Sequence, residues 1–289
     1  MFFFESDMMM SEEEFRLIRD IIYSHCGLFF DSDTKYLLEK RLARRLPLYQ
    51  LQSFKDYHYF LKYDRKKDQE LSELMDVLTT NETYFFREAF QLKALTEEIL
   101  PELKKEKEQR GEKTLRIWSA GCSTGEEPYT IAMLIKELGG FHDWRVEIIG
   151  TDISNRVLQH SRKAVYGKSS FRTTEERYIK RFFHEQEGGL KVNDEVRELV
   201  TISHLNLFDQ FRLALLGKMD VIFCRNVIIY FDQIAKKKVV ENFYNMLHEG
   251  GYLLLGHSES LMNISTAFAL KHLKNDMVYQ RPCSSGGVL

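Results

Sequence analysis

The chain has 289 residues, of which 44% are hydrophobic and 29% are charged, and its formal net charge is −2. This length can bury a sizeable core and predicts two domains, while the near-neutral charge argues against binding to nucleic acid or an anionic membrane through a basic excess. The sequence has no run of about eighteen apolar residues, so no transmembrane helix or membrane insertion is expected.

The amino-terminal segment Met1–Met10 is apolar, but it has early acids and no basic region, so we do not expect a signal peptide. The four cysteines are far apart and form no C-x-x-C pair: Cys26, Cys122, Cys224 and Cys283. Free thiols and a cytoplasmic location are therefore expected.

Residues 1–88 are predicted to form an all-helical domain. The patterns between Ser11 and Val77 are helical, and none of them is typical of a strand. Ser11 and Glu14 have the spacing of a capping box, in which Ser11 caps the first helix and Glu14 reaches back. Residues 89–113 are then predicted to form a helix followed by a charged linker.

A second helix is predicted at Thr34–Leu46 and ends at Pro47. Its apolar stripe leaves a basic face that we expect to be exposed, comprising Lys40, Arg41, Arg44 and Arg45. From the pattern alone, such a charge run is usually a solvated helix face.

Residues 114–282 alternate strand and helix patterns, which predicts an α/β domain with a parallel sheet and helices on both faces. Strands are predicted at 115–120, 146–151, 219–224 and 251–256, with an edge strand at Met277–Arg281. A small β-subdomain is predicted as an insertion at about 183–206, from the segments Gly188–Asn193 and Val196–Asn206. The Ser/Gly-rich residues 283–289 are predicted to be a disordered tail.

Trp118–Tyr129 is the most informative segment, because it joins a predicted strand to a predicted helix through a glycine loop. Gly121 and Gly125 permit a tight turn and a close approach of the backbone to a ligand. Glu126 and Glu127 put negative charge at the start of the helix. The spacing matches neither a P-loop nor G-x-G-x-x-G, and the acidic pair favours a cationic ligand over a phosphate.

Asp152 ends the second predicted strand, about thirty residues after the glycine loop, where a βαβ unit binds ribose hydroxyls. The alternative is that Asp152 or Ser154 only caps the following helix. Together the two signals favour an adenosine-bearing cofactor. The best candidate is S-adenosylmethionine, because its sulfonium and ammonium groups are both positive.

Arg225 and Asn226 follow the predicted strand Asp220–Cys224, at the carboxyl end where open α/β sheets bind ligands. Tyr230 either points its hydroxyl into the same cleft or packs beside Phe231. We therefore interpret Arg225 and Asn226 as residues of a ligand site at this edge of the sheet.

Three polar residues, Asn81, Thr83 and Arg87, lie among aromatic residues at the predicted domain junction. From the pattern alone this segment is an interdomain hinge with packed aromatic rings and solvated polar groups. Asn206 is, on the same basis, most simply a turn residue.

Several of these segments resemble the CheR family of chemotaxis receptor methyltransferases, and the likeness spans essentially the whole chain. The matching segments are Leu78–Glu88, Trp118–Tyr129, Gly150–Ser154, Asn206–Leu207, Ile222–Phe231 and Gly250–Glu259. The resemblance implies a Rossmann-like domain that transfers a methyl group from S-adenosylmethionine to glutamate side chains of chemoreceptors in chemotaxis adaptation. The products would be glutamate 5-O-methyl esters and S-adenosylhomocysteine, and no metal would be required.

The resemblance also implies roles for individual residues. Cofactor contacts are implied for Asn81, Thr83, Arg87, Glu126, Glu127, Asp152, Asn206, Leu207, Arg225 and Asn226. Spacing does not separate the two glutamates, although the resemblance favours Glu127 for the methionyl ammonium. Asp152 would hold the ribose, and Asn206 would read the polar edge of the adenine. Arg87 and Tyr230 are implicated in catalysis.

The implied partner is the cytoplasmic helical domain of chemoreceptors. In that case the basic face with Arg41, Arg44 and Arg45 would dock the receptor. Some members of the family grip a receptor tether with a longer hairpin than the Phe183–Leu190 connection, so tether independence is expected.

Two other functions remain open. One is methylation of a small molecule or nucleic acid, although the chain has Arg225–Ile228 where amino-methylating nucleic-acid enzymes usually carry an Asn-Pro-Pro-Tyr type motif. The other is a non-catalytic sensor that binds the cofactor and presents its helical domain to a partner.

Overall fold

The computed structural model describes residues 9–283. Residues 1–8 and 284–289 lie outside the described part of the chain. The predictions about a signal peptide at Met1–Met10 and a disordered tail at 283–289 fall mostly on these residues. Within residues 9–283, no helix combines the length and apolar character that crossing a membrane requires.

Four helices form the amino-terminal domain: α1 (Glu12–Cys26), α2 (Lys35–Ala43), α3 (Phe54–Tyr63) and α4 (Lys67–Leu78). The predicted capping box starts α1, where Ser11 Oγ accepts a hydrogen bond from the Glu14 backbone N–H and the Glu14 carboxylate accepts one from the Ser11 N–H. The apolar faces of the helices meet in a core that includes the fully buried Ile18, Leu38 and Leu74.

The basic face of α2 is not exposed as a whole, and the prediction is wrong for Arg45. Its side chain is 11% exposed and pairs with the fully buried carboxylate of Glu70 and with Glu73. Arg41 is half-buried and donates a hydrogen bond of 2.6 Å to the backbone carbonyl at the end of α4. The reason is that α4 packs against α2 and supplies these acceptors, which leaves Arg44 exposed.

The predicted charged linker is mostly helical. It belongs to a continuous helical segment made of α5 (Ala89–Ala94), a π-helical turn (Leu95–Ile99) and α6 (Leu100–Gln109). Although residues 104–113 contain no apolar side chain, Lys107 is buried and its ammonium lies 2.8 Å from the carboxylate of Asp220. This ion pair attaches the helix to the sheet.

The rest of the chain contains ten strands and six further helices among the described residues. The strands are β1 (Thr114–Ala120), β2 (Arg145–Asp152), β3 (Val165–Tyr166), β4 (Phe183–Gln186), β5 (Gly189–Val192), β6 (Val200–His204), β7 (Met219–Cys224), β8 (Leu247–Leu255), β9 (Ala269–His272) and β10 (Met277–Gln280). The helices are α7 (Glu126–Leu138), α8 (Asn155–Lys163), α9 (Glu176–Phe182), α10 (Asp194–Arg197), α11 (Gln210–Leu216) and α12 (Gln233–Met246).

Seven strands form one sheet in the order β6-β2-β1-β7-β8-β10-β9. The first five strands are parallel to one another, and β10 is antiparallel to both β8 and β9. The predicted α/β architecture and the four predicted strands are confirmed. The segment Met277–Gln280 is a strand but not the edge, because β9 pairs with its outer side.

Successive residues of the central strands point to opposite faces of the sheet. Ile117 and Phe223 pack in a core with α7, whereas Trp118 and Ile222 pack in a second core with Phe243 of α12. Because both faces are covered, apolar residues occupy both faces of these strands, as expected for a parallel sheet.

The inserted β-subdomain covers a different range from the predicted one, because it starts at β3, before Phe183, and ends at β5. It is a three-stranded sheet in the order β3-β5-β4, and its hairpin is β4–β5. The assignment of Val196–Asn206 to this insertion is wrong, since residues 194–197 form α10 and Val200–His204 pairs in parallel with β2 in the main sheet. The alternating pattern of β6 fits either sheet, and the sequence does not specify its pairing partner.

Candidate active site

A cavity of about 310 Å³ lies at the carboxyl ends of β1, β2 and β7, and the helical domain covers it from the opposite side. Ten of the residues predicted for the site line this cavity: Asn81, Thr83, Arg87, Glu127, Asp152, Asn206, Leu207, Arg225, Asn226 and Tyr230. The five segments that carry these residues are separated by up to 149 positions in the chain, and the fold brings them to one place. The exception among the predicted site residues is Glu126.

The glycine loop forms the floor of the cavity after β1. Gly121 has φ +75° and Gly125 has φ +96°, a region that residues with a side chain rarely adopt. A Cβ atom at Gly121 would overlap the side chain of Val227, and one at Gly125 would overlap Ser161. Both glycines are therefore required by conformation and by close packing.

The two glutamates at the start of α7 point in different directions. Glu127 lines the cavity and accepts hydrogen bonds from Ser119 Oγ at 2.6 Å and from Arg225 Nη1 at 3.2 Å. Glu126 instead accepts from the hydroxyls of Thr124 and Ser170, and it does not reach the cavity. Consecutive helical residues are rotated by about 100°, so only one of the pair faces this side. This geometry does not support a cofactor contact from Glu126, which stays a prediction.

Asp152 lies at the end of β2 with its carboxylate at the cavity. One oxygen accepts a hydrogen bond from the Ser123 backbone N–H and the other from the Ser154 N–H, both at 2.9 Å. Ser154, rather than Asp152, provides the side-chain cap of α8. Burial raises the pKa of Asp152, and it raises the pKa of Glu127 against the opposing effect of the Arg225 guanidinium.

All three guanidinium nitrogens of Arg225 are engaged by protein groups. Nε lies 3.0 Å from Glu88 Oε2, Nη1 lies 3.2 Å from Glu127 Oε2, and Nη2 donates to the Arg87 carbonyl at 2.6 Å. The neighbouring Asn226 differs, because its Oδ1 is buried and has no hydrogen-bond partner within the described part of the chain. A buried amide oxygen in that state is an acceptor that a ligand can use.

The loop that carries Arg225, Asn226 and Tyr230 is held by Glu259, a residue to which the sequence analysis assigned no role. Its carboxylate accepts hydrogen bonds from four backbone N–H groups, those of Asn226, Val227, Ile229 and Gly256, at 2.7 to 3.2 Å. The sequence signal that could have identified Glu259 was its position just beyond a strand that ends at the ligand-binding edge of the sheet. Residues 9–283 contain no group of three or more His, Cys, Asp or Glu arranged to hold a metal ion.

Residues of the domain junction form the mouth of the cavity. The Arg87 guanidinium lies 5.6 Å from the centre of the Tyr84 ring and donates to the Glu82 carbonyl at 3.1 Å. The Asn81 carbonyl accepts a hydrogen bond from Ser123 Oγ at 3.3 Å. Tyr230 is 37% exposed at the same opening. The segment is thus part of the cavity wall and not a freely solvated hinge.

Asn206 borders the cavity, but both ends of its amide are engaged. Nδ2 donates to the His25 carbonyl at 2.6 Å, and Oδ1 accepts from the Phe208 N–H at 2.9 Å. The interpretation of Asn206 as a turn residue is confirmed, and the same side chain ties this turn to the end of α1. Leu207 contributes an apolar surface beside it.

The four cysteines are free thiols, as expected. Cys26 and Cys122 line the cavity, but both are buried. Burial raises the pKa of Cys26 to about 12 and raises that of Cys122 well above its ordinary value. Neither thiol is therefore suited to act as a nucleophile near neutral pH.

The arrangement suits a ligand with positive charge and vicinal hydroxyls. Two buried carboxylates, Glu127 and Asp152, face the cavity, and the unpartnered Oδ1 of Asn226 adds an acceptor. The glycine loop gives the ligand access to the backbone at Gly121. S-adenosylmethionine has these chemical features, so the residues present fit the group.

Comparison with known proteins gives two matches to family models. Residues 13–79 match the model described as CheR methyltransferase, all-alpha domain, and residues 81–277 match CheR methyltransferase, SAM binding domain. Chemotaxis protein methyltransferase 2 of Vibrio cholerae is 36% identical over 279 residues, which cover 96% of each chain. A chemotaxis protein methyltransferase of Borreliella burgdorferi is 35% identical over 89% of this chain and 92% of its own. The Salmonella typhimurium protein of the same name is 33% identical over 91% and 89% of the two chains.

Proposed function

The chain belongs to the CheR methyltransferase family, and we propose that it methylates glutamate carboxylates of chemoreceptors, giving glutamate 5-O-methyl esters. It is an S-adenosylmethionine-dependent methyltransferase of chemotaxis, of the protein-glutamate O-methyltransferase type. The observation that carries the proposal is a single cavity that combines buried carboxylates for a cationic cofactor with Arg87 and Tyr230 at its mouth.

For the cofactor we propose that Glu127 binds the methionyl ammonium and that Asp152 binds the ribose hydroxyls. Both oxygens of Asp152 already accept one backbone N–H each, which fixes the carboxylate and leaves lone pairs directed at the cavity. Asn226 Oδ1 is available as a further acceptor. Asn81, Thr83 and Leu207 complete the wall through contact, and no residue is assigned to a metal.

Arg225 and Asn206 hydrogen-bond to protein groups, so we do not assign either side chain a direct hydrogen bond to the ligand. Arg225 holds Glu127 and the Arg87 carbonyl in place, and Asn206 ties its turn to the carbonyl of His25. We therefore assign them to shaping the cofactor wall.

The reaction needs alignment more than acid–base catalysis. A glutamate carboxylate is already ionised at neutral pH, so no base has to remove a proton before it attacks. The cofactor, when bound, supplies a methyl group on a positively charged sulfur. Arg87 and Tyr230 orient the incoming carboxylate at the mouth, and the surrounding protein excludes water from the reacting groups.

The acceptor is the cytoplasmic helical domain of a chemoreceptor, which implies a cytoplasmic enzyme. Such bundles are rich in carboxylates at the sites to be methylated, and the exposed cation directly after α2 complements them. Arg44 is fully available for this contact, whereas Arg41 and Arg45 hold the helical domain together. The β4–β5 hairpin has a turn of two residues, Glu187 and Gly188, which supports tether-independent recognition.

The test is site mapping by mass spectrometry. Incubation with S-adenosylmethionine and a receptor cytoplasmic fragment should add a methyl group to glutamates within the helical bundle, with and without the receptor's carboxyl-terminal segment. Modification of lysine, of nucleic acid or of no residue would contradict the proposal. Dependence on the carboxyl-terminal segment would contradict tether independence alone.

A further inference from the structure

The segment that carries Arg87 is bonded to the inserted subdomain, at the connection between β3 and β4 (residues 167–182). Two residues before Arg87, the fully buried Phe85 has both of its backbone polar groups engaged by this connection. The Phe85 N–H donates to the Ser170 carbonyl at 2.9 Å, and the Thr173 hydroxyl donates to the Phe85 carbonyl at 2.9 Å. The inserted subdomain therefore fixes the backbone just before Arg87.

The Phe85 side chain packs against aromatic rings of the same subdomain. Its ring is stacked on that of Phe171 with centroids 5.3 Å apart, and it meets Tyr166 and Phe183 edge to face at 4.8 and 5.1 Å. The next residue, Phe86, has φ +60°, in the left-handed region that is costly for a residue with a side chain. Such a conformation persists only where surrounding contacts fix it, so the course of the chain after Phe86 depends on the anchoring of Phe85.

The side chain of Arg87 is supported from the same connection. Its guanidinium donates to the Glu82 carbonyl and lies against the Tyr84 ring. Arg172 engages these same two residues. Its Nη2 lies 2.7 Å from the Glu82 carboxylate, and its guanidinium carbon lies 3.8 Å from the centre of the Tyr84 ring. Arg172 thus holds both of the groups that the Arg87 guanidinium contacts.

Neither Arg172 nor Thr173 lines the cofactor cavity, and both are exposed. Thr130 of α7 differs in this respect, because it accepts a hydrogen bond from the Phe86 N–H at 3.2 Å and also lines the cavity. Substitutions at Arg172 or Thr173 therefore disturb the segment that carries Arg87 without removing a group that faces the cofactor.

We propose that Arg172 and Thr173 are positioning residues for methyl transfer, which place the Arg87 guanidinium at the mouth of the cavity. They act through the segment Glu82–Phe85, so the inserted subdomain is a template for part of the active site. The inference rests on the proposed function, because it requires that Arg87 orients the acceptor carboxylate.

The first test is the variant Thr173→Val, which replaces the hydroxyl by a methyl group of similar volume and leaves the Phe85 carbonyl without its donor. In steady-state methylation of a receptor fragment, kcat should fall by about tenfold, because a small misplacement of an orienting group is costly in rate. The dissociation constant of S-adenosylmethionine, measured by calorimetry, should not change. Thr173→Ser keeps the hydroxyl and should have the kcat of the wild type.

The neighbouring threonine provides the matched control. Thr174 Oγ1 is buried and has no hydrogen-bond partner within the described part of the chain. Thr174→Val makes the same chemical change one position away, so it should leave kcat unchanged. Thermal unfolding of each variant verifies that the fold is intact.

A second variant tests the support of the Arg87 side chain. Arg172→Gln removes the cation that holds Glu82 and Tyr84, so kcat should fall while the affinity for S-adenosylmethionine stays the same. Arg181→Gln is its control, because Arg181 is also exposed and lies over an aromatic ring, that of Phe182, outside the cavity. A higher KM for the receptor with unchanged kcat in Arg172→Gln would mean that Arg172 binds the receptor directly, and would overturn its positioning role.

Two results would overturn the role of Thr173: a wild-type kcat in Thr173→Val, or an equal loss of kcat in Thr173→Ser. The activity of the wild type distinguishes these outcomes from a failure of the proposed function. A wild-type protein that transfers no methyl group to a receptor would contradict the proposed function itself, and this inference with it.

Discussion

The side chains at the cavity divide into those with unused hydrogen-bonding capacity and those already engaged by the protein. Glu127, Asp152 and Asn226 belong to the first group, and Arg225 and Asn206 to the second. Motif spacing predicted that these residues would gather, because strands of a parallel sheet end at one edge. It did not predict the engaged state of Arg225, since that state depends on a carboxylate 137 positions away in the chain.

The affinity for a cationic cofactor should begin to fall at a higher pH than carboxylates with ordinary pKa values would give. Burial raises the pKa of both Asp152 and Glu127, so they should protonate above the ordinary carboxylate range near pH 4. Since the cationic ligand binds the ionised forms, affinity for S-adenosylmethionine should weaken as pH falls through these raised pKa values. Calorimetry between about pH 8 and pH 5 measures this dependence.

Protonation of these two groups does not itself destabilise the fold. A carboxyl group whose pKa is raised in the folded protein stabilises the fold on protonation, so these two groups favour folding as the pH falls. The variant Asp152→Asn should bind S-adenosylmethionine weakly at every pH, and its affinity should depend less on pH than that of the wild type. An affinity that stays constant down to the ordinary carboxylate range would contradict this assignment.

Tyr230 should contribute to turnover and not to cofactor affinity. The variant Tyr230→Phe removes only the hydroxyl at the mouth, so the aligned carboxylate loses one contact. We expect kcat to fall by about tenfold to a hundredfold, the usual cost of poorer alignment, with little change in the dissociation constant of S-adenosylmethionine. Steady-state methylation and calorimetry measure the two quantities. Unchanged turnover would remove Tyr230 from the catalytic assignment.

The elements of the fold are linked by a few buried carboxylates. Glu259 joins the end of β8 to the Asn226–Ile229 loop, and Glu70 joins α4 to Arg45 beyond α2. Periodicity predicted the helices and most strands, because it reports which face of an element is buried. Periodicity gave no information about these carboxylates, because each accepts hydrogen bonds from donors in a different element of the fold.

Loss of the Glu259 carboxylate should disorder the loop that carries Arg225 and Tyr230. In Glu259→Gln the amide NH₂ faces backbone N–H donors, so at least one buried donor stays unsatisfied. The free energy of unfolding should fall by about 1–3 kcal/mol, and methylation should fall with it. Denaturant titration measures the stability change.

Glu98→Gln provides the matched control, because Glu98 accepts two backbone N–H groups at a half-buried position of the long helical segment, outside the cavity. It should have a smaller effect on stability and none on methylation. Equal effects of the two variants would show that Glu259 has no special relation to the site.

Arg45 should be a stability residue. Arg45→Ala leaves the fully buried Glu70 without its cation, and removing one partner of a buried ion pair typically costs about 3–5 kcal/mol. The hydroxyls of Tyr49 and Tyr57 still donate to Glu70, so the lower end is expected. Arg44→Ala, at an exposed neighbouring position, should change the unfolding free energy by less than about 0.5 kcal/mol. Similar values for both variants would contradict this difference.

Across the whole molecule, the helical domain closes one side of the cavity and the sheet edge closes the other. Two hydrogen bonds cross between the domains: the Tyr23 hydroxyl donates to Asp232 at 3.0 Å, and the Ser154 hydroxyl donates to Asp76 at 2.6 Å. The helical and α/β patterns predicted the two architectures separately. The pairing of β6 with the main sheet and the helical nature of residues 104–109 were not predictable in this way, because both depend on long-range partners such as Asp220 for Lys107.

The central claim, carboxyl methylation of receptors, is tested most directly with S-adenosylmethionine carrying a labelled methyl group. The label should attach to chemoreceptor cytoplasmic fragments and should be released as methanol by mild alkali, because a methyl ester hydrolyses under those conditions. Arg87→Ala should abolish the incorporation. Label that stays on the receptor after alkali, or cofactor binding without any transfer, would contradict the account.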